Sequence, residues 1–285
     1  MIPSIAVALS MSMLAAFAVP AWGQAAARGF TPSRLANGKP NFNGIWEALG
    51  PANYDIERHI ARPSMMLREG PHGTLPAVPL LRLGAVAAVP GSMGVVEGGK
   101  IPYKPEAQKK RQENREHWLE RDPEIKCYLP GVPRATYMPF PFQIIQNQNQ
   151  FFISYEYAGA HRDIYFKDPG PPETDSWMGQ SVGKWEGDTL VVDVTGQNDQ
   201  TWFDRSGTFH SSQLHVVERY TLMTPNHIRY EATIEDPDVF TKPWKISLPL
   251  YRRMEPDARL MDFKCVEFVE ELLFGEYRRK PLPRP

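Results

Sequence analysis

The pattern of apolar and polar positions changes character once along the chain, near residue 137. Before that point residues 24–41 are polar and turn-rich, and NFNGIWEAL (41–49) alternates as a strand. From Pro51 to about Lys104 prolines and glycines recur with no sustained period, which reads as a long ordered excursion or lid. PEAQKKRQENREHWLERD (105–122) is predicted as a helix: Pro105 suits the first turn, strong helix formers follow, and Pro123 ends it. Its charge run reads as a solvated face. After Tyr137 the period is two. PFQIIQ and QFFISYEY flank Asn147-Gln148-Asn149, HRDIYFKD precedes the turn GPPETD, and WMGQSVGKW and TLVVDVTG flank Glu186-Gly187-Asp188. QLHVVERYTLM, HIRYEATIED, PWKISLPLYRRM and ARLMDFKCVEF follow. Eight to ten strands with no intervening helix predict an all-β fold, an antiparallel meander that removes its edges by closing into a barrel. This gives one domain over 24–285, with 51–122 as a loop-and-helix insertion. A barrel of about eight strands either packs solid or holds one small ligand.

The apolar run from Ile5 to Val19, followed by Pro20 and the small-x-small tripeptide Ala21-Trp22-Gly23, predicts a signal peptide over 1–23. The mature chain then starts near Gln24 and is periplasmic or secreted, and an uncleaved signal is its one route to a membrane. Cys127 and Cys265 remain, and in an oxidising compartment they are predicted to pair, two buried thiols being the alternative.

Composition narrows the partners. Lysine plus arginine number 32 against 33 acidic residues, so a net charge of −1 offers no field for nucleic acid or anionic lipid, and a neutral small molecule is the expected partner. The chain shows no Gly-x-Ser-x-Gly elbow, no phosphate-cradling glycine loop and no dinucleotide fingerprint, so serine hydrolase, nucleotide and redox-cofactor readings fall. His210 and His215 do not have zinc spacing, so neither metal nor other cofactor is expected.

Gly44-Ile45-Trp46 resembles the Gly-x-Trp signature of lipocalins. The resemblance implies that Trp46 plugs the closed end of the barrel under an arginine from a late strand, either Arg252 or Arg253. The segment TDSWMGQSVGKWEGDTLVVDVTGQNDQTWFDRSGTFHSSQLHVVERY (174–220), with CYLPGVPR and TKPW, is similar to a widespread group of secreted bacterial proteins, over about residues 40–268. The lipocalin-like superfamily includes ligand carriers and enzymes that hydrate, eliminate or cyclise apolar substrates inside the barrel. The resemblance therefore implies the fold and divides the function.

The stretch NDQTWFDRSGTFHSSQLHVVERY (198–220) carries the candidate chemistry. Strand alternation puts His215, Val217, Arg219 and Thr221 on one face and Val216, Glu218, Tyr220 and Leu222 on the other. Both faces carry ionisable groups, so one of them meets charges inside the barrel, where an unpaired charge costs several kcal/mol. Partners are available in Asp199, Asp204, Arg205 and His210 of the adjoining loop, and in Glu156, His161, Arg162 and Tyr165 around a turn at Gly159. The leading expectation is a cofactor-free lyase, hydratase or isomerase with His215 as the acid–base group. Asp204 or His210 supports it, and Glu156, His161 and Arg162 face it across the cavity. Tyr155, Tyr165, Trp202, Glu218 and Trp244 hold a small apolar or aromatic substrate. Each has a plainer reading: a structural histidine at His215, loop capping at His210, turn fixing at Asp204 and an ion pair between Glu156 and Arg162. Trp185, Trp202 and Trp244 serve equally as core or rim aromatics. The alternative functions are a non-catalytic carrier of a small apolar ligand and a structural envelope protein.

Overall fold

The structure, a computed structural model, describes residues 30–63, 67–70, 73–76 and 88–267. The expected signal peptide and its cleavage point lie outside the described residues. Strand β1 (Gly44–Ala48) opens the barrel. The excursion then forms two short ribbons, β2 (Arg62–Pro63) with β5 (Ala88–Val89) and β3 (Leu67–Gly70) with β4 (Gly73–Pro76). The barrel resumes with β6 (Phe142–Gln146), β7 (Phe151–Tyr155), β8 (His161–Tyr165) and β9 (Gln180–Glu186). It finishes with β10 (Thr189–Thr195), β11 (His215–Thr224), β12 (His227–Glu235) and β13 (Trp244–Arg252). Nine strands close in the order β1-β13-β12-β11-β10-β9-β8-β7-β6, with β1 also paired to β6.

One junction departs from a meander. β8 and β9 are parallel, through Ile164 opposite Ser181 and Tyr165 opposite Val182. GPPETD is therefore no hairpin turn: residues 166–179 carry the chain back along the barrel, so β9 runs in the same direction as β8, its first residues beside the last residues of β8. The barrel is mixed, with one short parallel seam. Two other expectations change. The helix over 105–122 breaks at His117 (φ −106°, ψ 30°) into α1 (Pro105–Glu116) and α2 (Trp118–Arg121). The described part of ARLMDFKCVEF, residues 258–267, forms no strand. It lies as coil, held by the Cys127–Cys265 disulfide (Cα–Cα 5.7 Å), by the Met261 N–H donated to Glu156 (2.8 Å) and by Phe263 against Phe140 and Tyr157.

Strand direction defines the two ends of the barrel. The turns at 147–150, 187–188 and 225–226 and the entry into β1 mark the closed end. There Trp46 is fully buried, its indole N–H bonds the Phe42 carbonyl (2.9 Å), and the Arg252 guanidinium lies 4.2 Å from the ring centroid. Of the two late arginines, Arg252 is the one that stacks. Gly44, at φ 141°, leaves room for it, because a Cβ there would collide with the Arg252 guanidinium. The opposite end, the mouth, is filled by the chain itself. Buried Tyr54, Ile56, Ile101, Val132, Phe203 and Phe209, together with the short helix α3 (Arg134–Tyr137), plug it.

Candidate functional site

The strand period that builds the barrel sorts the expected site residues into three places. On β11 the inward positions are Val216, Glu218, Tyr220 and Leu222, all buried, so His215 points outward. Its side chain is 36% exposed and meets Asp193 (Nε2–Oδ2 3.0 Å) and, more distantly, Glu235 (3.9 Å). The expectation of His215 as a cavity acid–base group is overturned, since one strand cannot turn both His215 and Glu218 inward. His161 and Tyr165 likewise occupy exposed, outward positions of β8, His161 stacking on Phe152. Glu156 lies at the mouth rim, accepting from the Met261 N–H, and takes no part in an ion pair with Arg162.

Inside the barrel Arg162 and Glu218 form a bidentate pair, Nη2–Oε2 2.5 Å and Nη1–Oε1 3.2 Å. The remaining polar valences are met within the wall. Tyr220 and Tyr230 donate to Glu218 Oε1 (2.9 and 2.7 Å), and Arg162 donates to Ser181 Oγ (2.8 Å) and to the Tyr155 hydroxyl (3.3 Å). Burial works against the arginine's charge, but the Glu218 carboxylate together with Tyr155 and Tyr220 outweighs it and holds the pKa well above the usual arginine value. Tyr155, Arg162 and Glu218 thus serve one satisfied network that fills the axis.

The mouth holds the rest. Asp204 accepts backbone N–H groups from Ile56 (3.1 Å), Ser206 (2.9 Å) and Thr208 (3.2 Å) and the Thr208 hydroxyl (3.0 Å), so it fixes its own turn to the 51–56 segment. Burial first, and Asp55 second, push its carboxyl up to about 6, against the pull of Arg111. His210 accepts from Thr201: Oγ1 lies 2.6 Å from Nε2, while Nδ1 lies 2.9 Å from the Ser211 carbonyl, which assigns the proton to Nδ1. Burial holds its pKa below the usual imidazole range, so it is neutral. Thr201 and Trp202 face a closed cleft, with Tyr128, Tyr157, Glu124 and Arg134, that leaves no room for a water molecule. Under it lies an ionic cluster: Arg134 binds Glu124 (2.6 Å) and Asn53 (2.8 Å), and Arg205 lies 3.4 Å from Asp122. Burial alone would raise Glu124, but Arg205 and Arg134 keep it low; burial prevails at Asp122, which is raised. Trp244 packs edge-on to Phe203 and Phe240 as a core aromatic.

Open volume lies elsewhere. At the closed end, beside the β8–β9 seam, a groove of about 680 Å³ opens along the barrel wall. Its floor is apolar: Phe151, Ile164, Phe166 and Trp185, the last two near-parallel at 16° with centroids 6.3 Å apart. Gly183 makes this floor possible, because a Cβ there would come within 2.5 Å of Ile164 and 3.2 Å of Phe166. The rim carries amides of the 147–150 turn with Lys39, Lys167, Lys184 and Asp163. Of the groove's lining, the sequence pointed to Tyr165 as a substrate contact and to Trp185 as a core or rim aromatic, and to none of the lysines. The groove lies beside the parallel seam, and a seam set by a crossover is invisible to period-two alternation.

Among the described residues no group of three or more His, Cys, Asp or Glu side chains is placed to hold a metal ion, and no helix is long and apolar enough to cross a membrane. Fold and cavities together define a closed nine-stranded barrel with a packed axis, a plugged mouth and a ligand-sized groove at the opposite end. No protein-family model matches the chain, and no curated protein does.

Proposed function

We propose that the protein is an exported, lipocalin-like carrier that holds a small molecule with an aromatic or apolar body in the closed-end groove. The observation that carries this reading is where open volume and chemistry fall. About 680 Å³ suits a small ligand, and the groove is floored by aromatic side chains. Its lining contains no histidine and a single carboxylate, Asp163, so no acid–base pair faces a bound molecule. The ionisable groups that favoured catalysis are either satisfied within the barrel axis and mouth plug or paired on the outer surface. The disulfide supports the exported part of the reading, because such bonds persist in oxidising compartments.

The contact between Thr201 and His210 favours a second reading, an enzyme at the mouth. A neutral imidazole with its tautomer fixed, bonded to a hydroxyl on an aromatic cleft beside Arg134, has the parts of an activated nucleophile. That reading requires the cleft to open, whereas the groove is open already.

Fluorescence titration with N-phenyl-1-naphthylamine, a neutral aromatic probe, tests the carrier reading. The expected result is saturable one-to-one binding, weakened about tenfold or more in Phe166→Ala, which removes a floor ring. Unsaturable binding, or equal affinity in the variant, counts against it.

A further inference from the structure

The rim of the groove is unlike the rest of the molecule. The whole chain has a net charge of −1, yet the groove gathers Lys39, Lys167 and Lys184 against Asp163 alone. These cations are not equivalent. Lys184 contacts Glu186 (3.2 Å), and the Lys39 ammonium sits 5.6 Å from the centroid of the Trp185 ring, on the aromatic floor itself. Asp188 feels the Lys39 charge but is bound by Arg34 through two contacts of 2.7 and 2.9 Å, so its own charge is already balanced by a second cation. Lys167, one residue beyond Phe166, is exposed and lines the same groove. A planar apolar body lying on Phe166 and Trp185 would therefore share the groove with two ammonium groups.

We infer that the ligand of the groove is a small aromatic anion, a ring system bearing a carboxylate, sulfonate or phosphate, whose ring lies on the Phe166–Trp185 floor and whose charge meets Lys39 and Lys167. This rests on the carrier reading and replaces the neutral partner expected from the chain's net charge. Charge complementarity is the argument: cations with few local counterions raise the local concentration of anions, and an ammonium beside an aromatic floor selects a ligand that has both a ring and a negative charge. The turn amides at Gln148 and Asn149, exposed on the same rim, supply neutral donors for the oxygens of such a group.

The test compares two probes with the same ring system on the whole exported chain: 1-anilinonaphthalene-8-sulfonate, which is anionic, and N-phenyl-1-naphthylamine, which is neutral. The anion is expected to bind one-to-one and about tenfold more tightly at low ionic strength, losing that advantage in high salt and in the rim variant Lys39→Gln/Lys167→Gln. Equal affinity for both probes, or an anion affinity unchanged in the double variant, overturns the inference while leaving the carrier reading standing. Absence of saturable binding by either probe overturns both. Circular dichroism of the variant, whose changes are confined to the surface, separates lost binding from lost fold.

Discussion

Asp204 shows how one buried carboxyl ties the mouth together at a cost that depends on pH. Three backbone N–H groups and a hydroxyl converge on it, and burial with Asp55 nearby sets its pKa to about 6. The folded value lies above the unfolded value of about 3.9, so the folded state binds the proton more tightly. The resulting stability is complete below about pH 4 and is lost as pH rises through about 6. His210 acts with the opposite sign. Its depressed pKa gives stability that is present above the unfolded value of about 6.5 and lost as pH falls below it. The difference between wild type and Asp204→Asn isolates the carboxyl: in urea titrations the variant is expected to be less stable throughout, and the gap to narrow between about pH 4 and 6 as wild type loses its proton. A gap constant with pH would show an ordinary carboxylate. The turn-fixing role of Asp204 was legible from Asp204-Arg205-Ser206-Gly207, because its acceptors and donors are local in sequence. The orientation of His215 was not. Both faces of its strand carry ionisable groups, and which face turns inward depends on partners distant in sequence, Arg162 for Glu218, 56 residues away, and the adjoining strand's Asp193 for His215, 22 residues away.

Among the elements, β8 and β11 are joined across the axis by Arg162 and Glu218, which share no backbone pairing. Removing one partner leaves a buried uncompensated charge, which costs about 3–5 kcal/mol, whereas replacing both with apolar side chains of similar volume is often nearly neutral. Chemical denaturation of Arg162→Met, Glu218→Leu and the double variant is expected to show two large single losses and a much smaller double loss. Additive losses would mean that the pair does not act as a unit. The tyrosines around it temper the rescue, since the double variant orphans the hydroxyls of Tyr220 and Tyr230. The nine strands were largely readable from alternation, as were the tight turns at Asn147 and Glu186. The parallel seam was not, because GPPETD is as good a hairpin turn as it is the start of a crossover, and only the pairing of Ile164 with Ser181 distinguishes them. The last apolar segment was misread for a related reason. ARLMDFKCVEF alternates like a strand, but β13 already pairs with β1, so the closed barrel offers it no free edge.

At the scale of the whole molecule, the segments around Tyr54–Ile56 and Ile101, the helix α3 and the 198–214 loop close the mouth, and the ligand-sized groove lies at the other end, beside the seam between β8 and β9. The central claim is that ligands enter at this seam and not at the mouth. Its most direct test is amide chemical-shift mapping of the isotope-labelled protein during titration with 1-anilinonaphthalene-8-sulfonate. The account predicts saturable shifts concentrated in Gln146–Phe151, Asp163–Lys167 and Gly183–Trp185, with Thr201, Trp202 and His210 unmoved. Shifts concentrated at Tyr128, Thr201, Trp202 and His210, with the seam silent, would contradict it and place the working site in the plug.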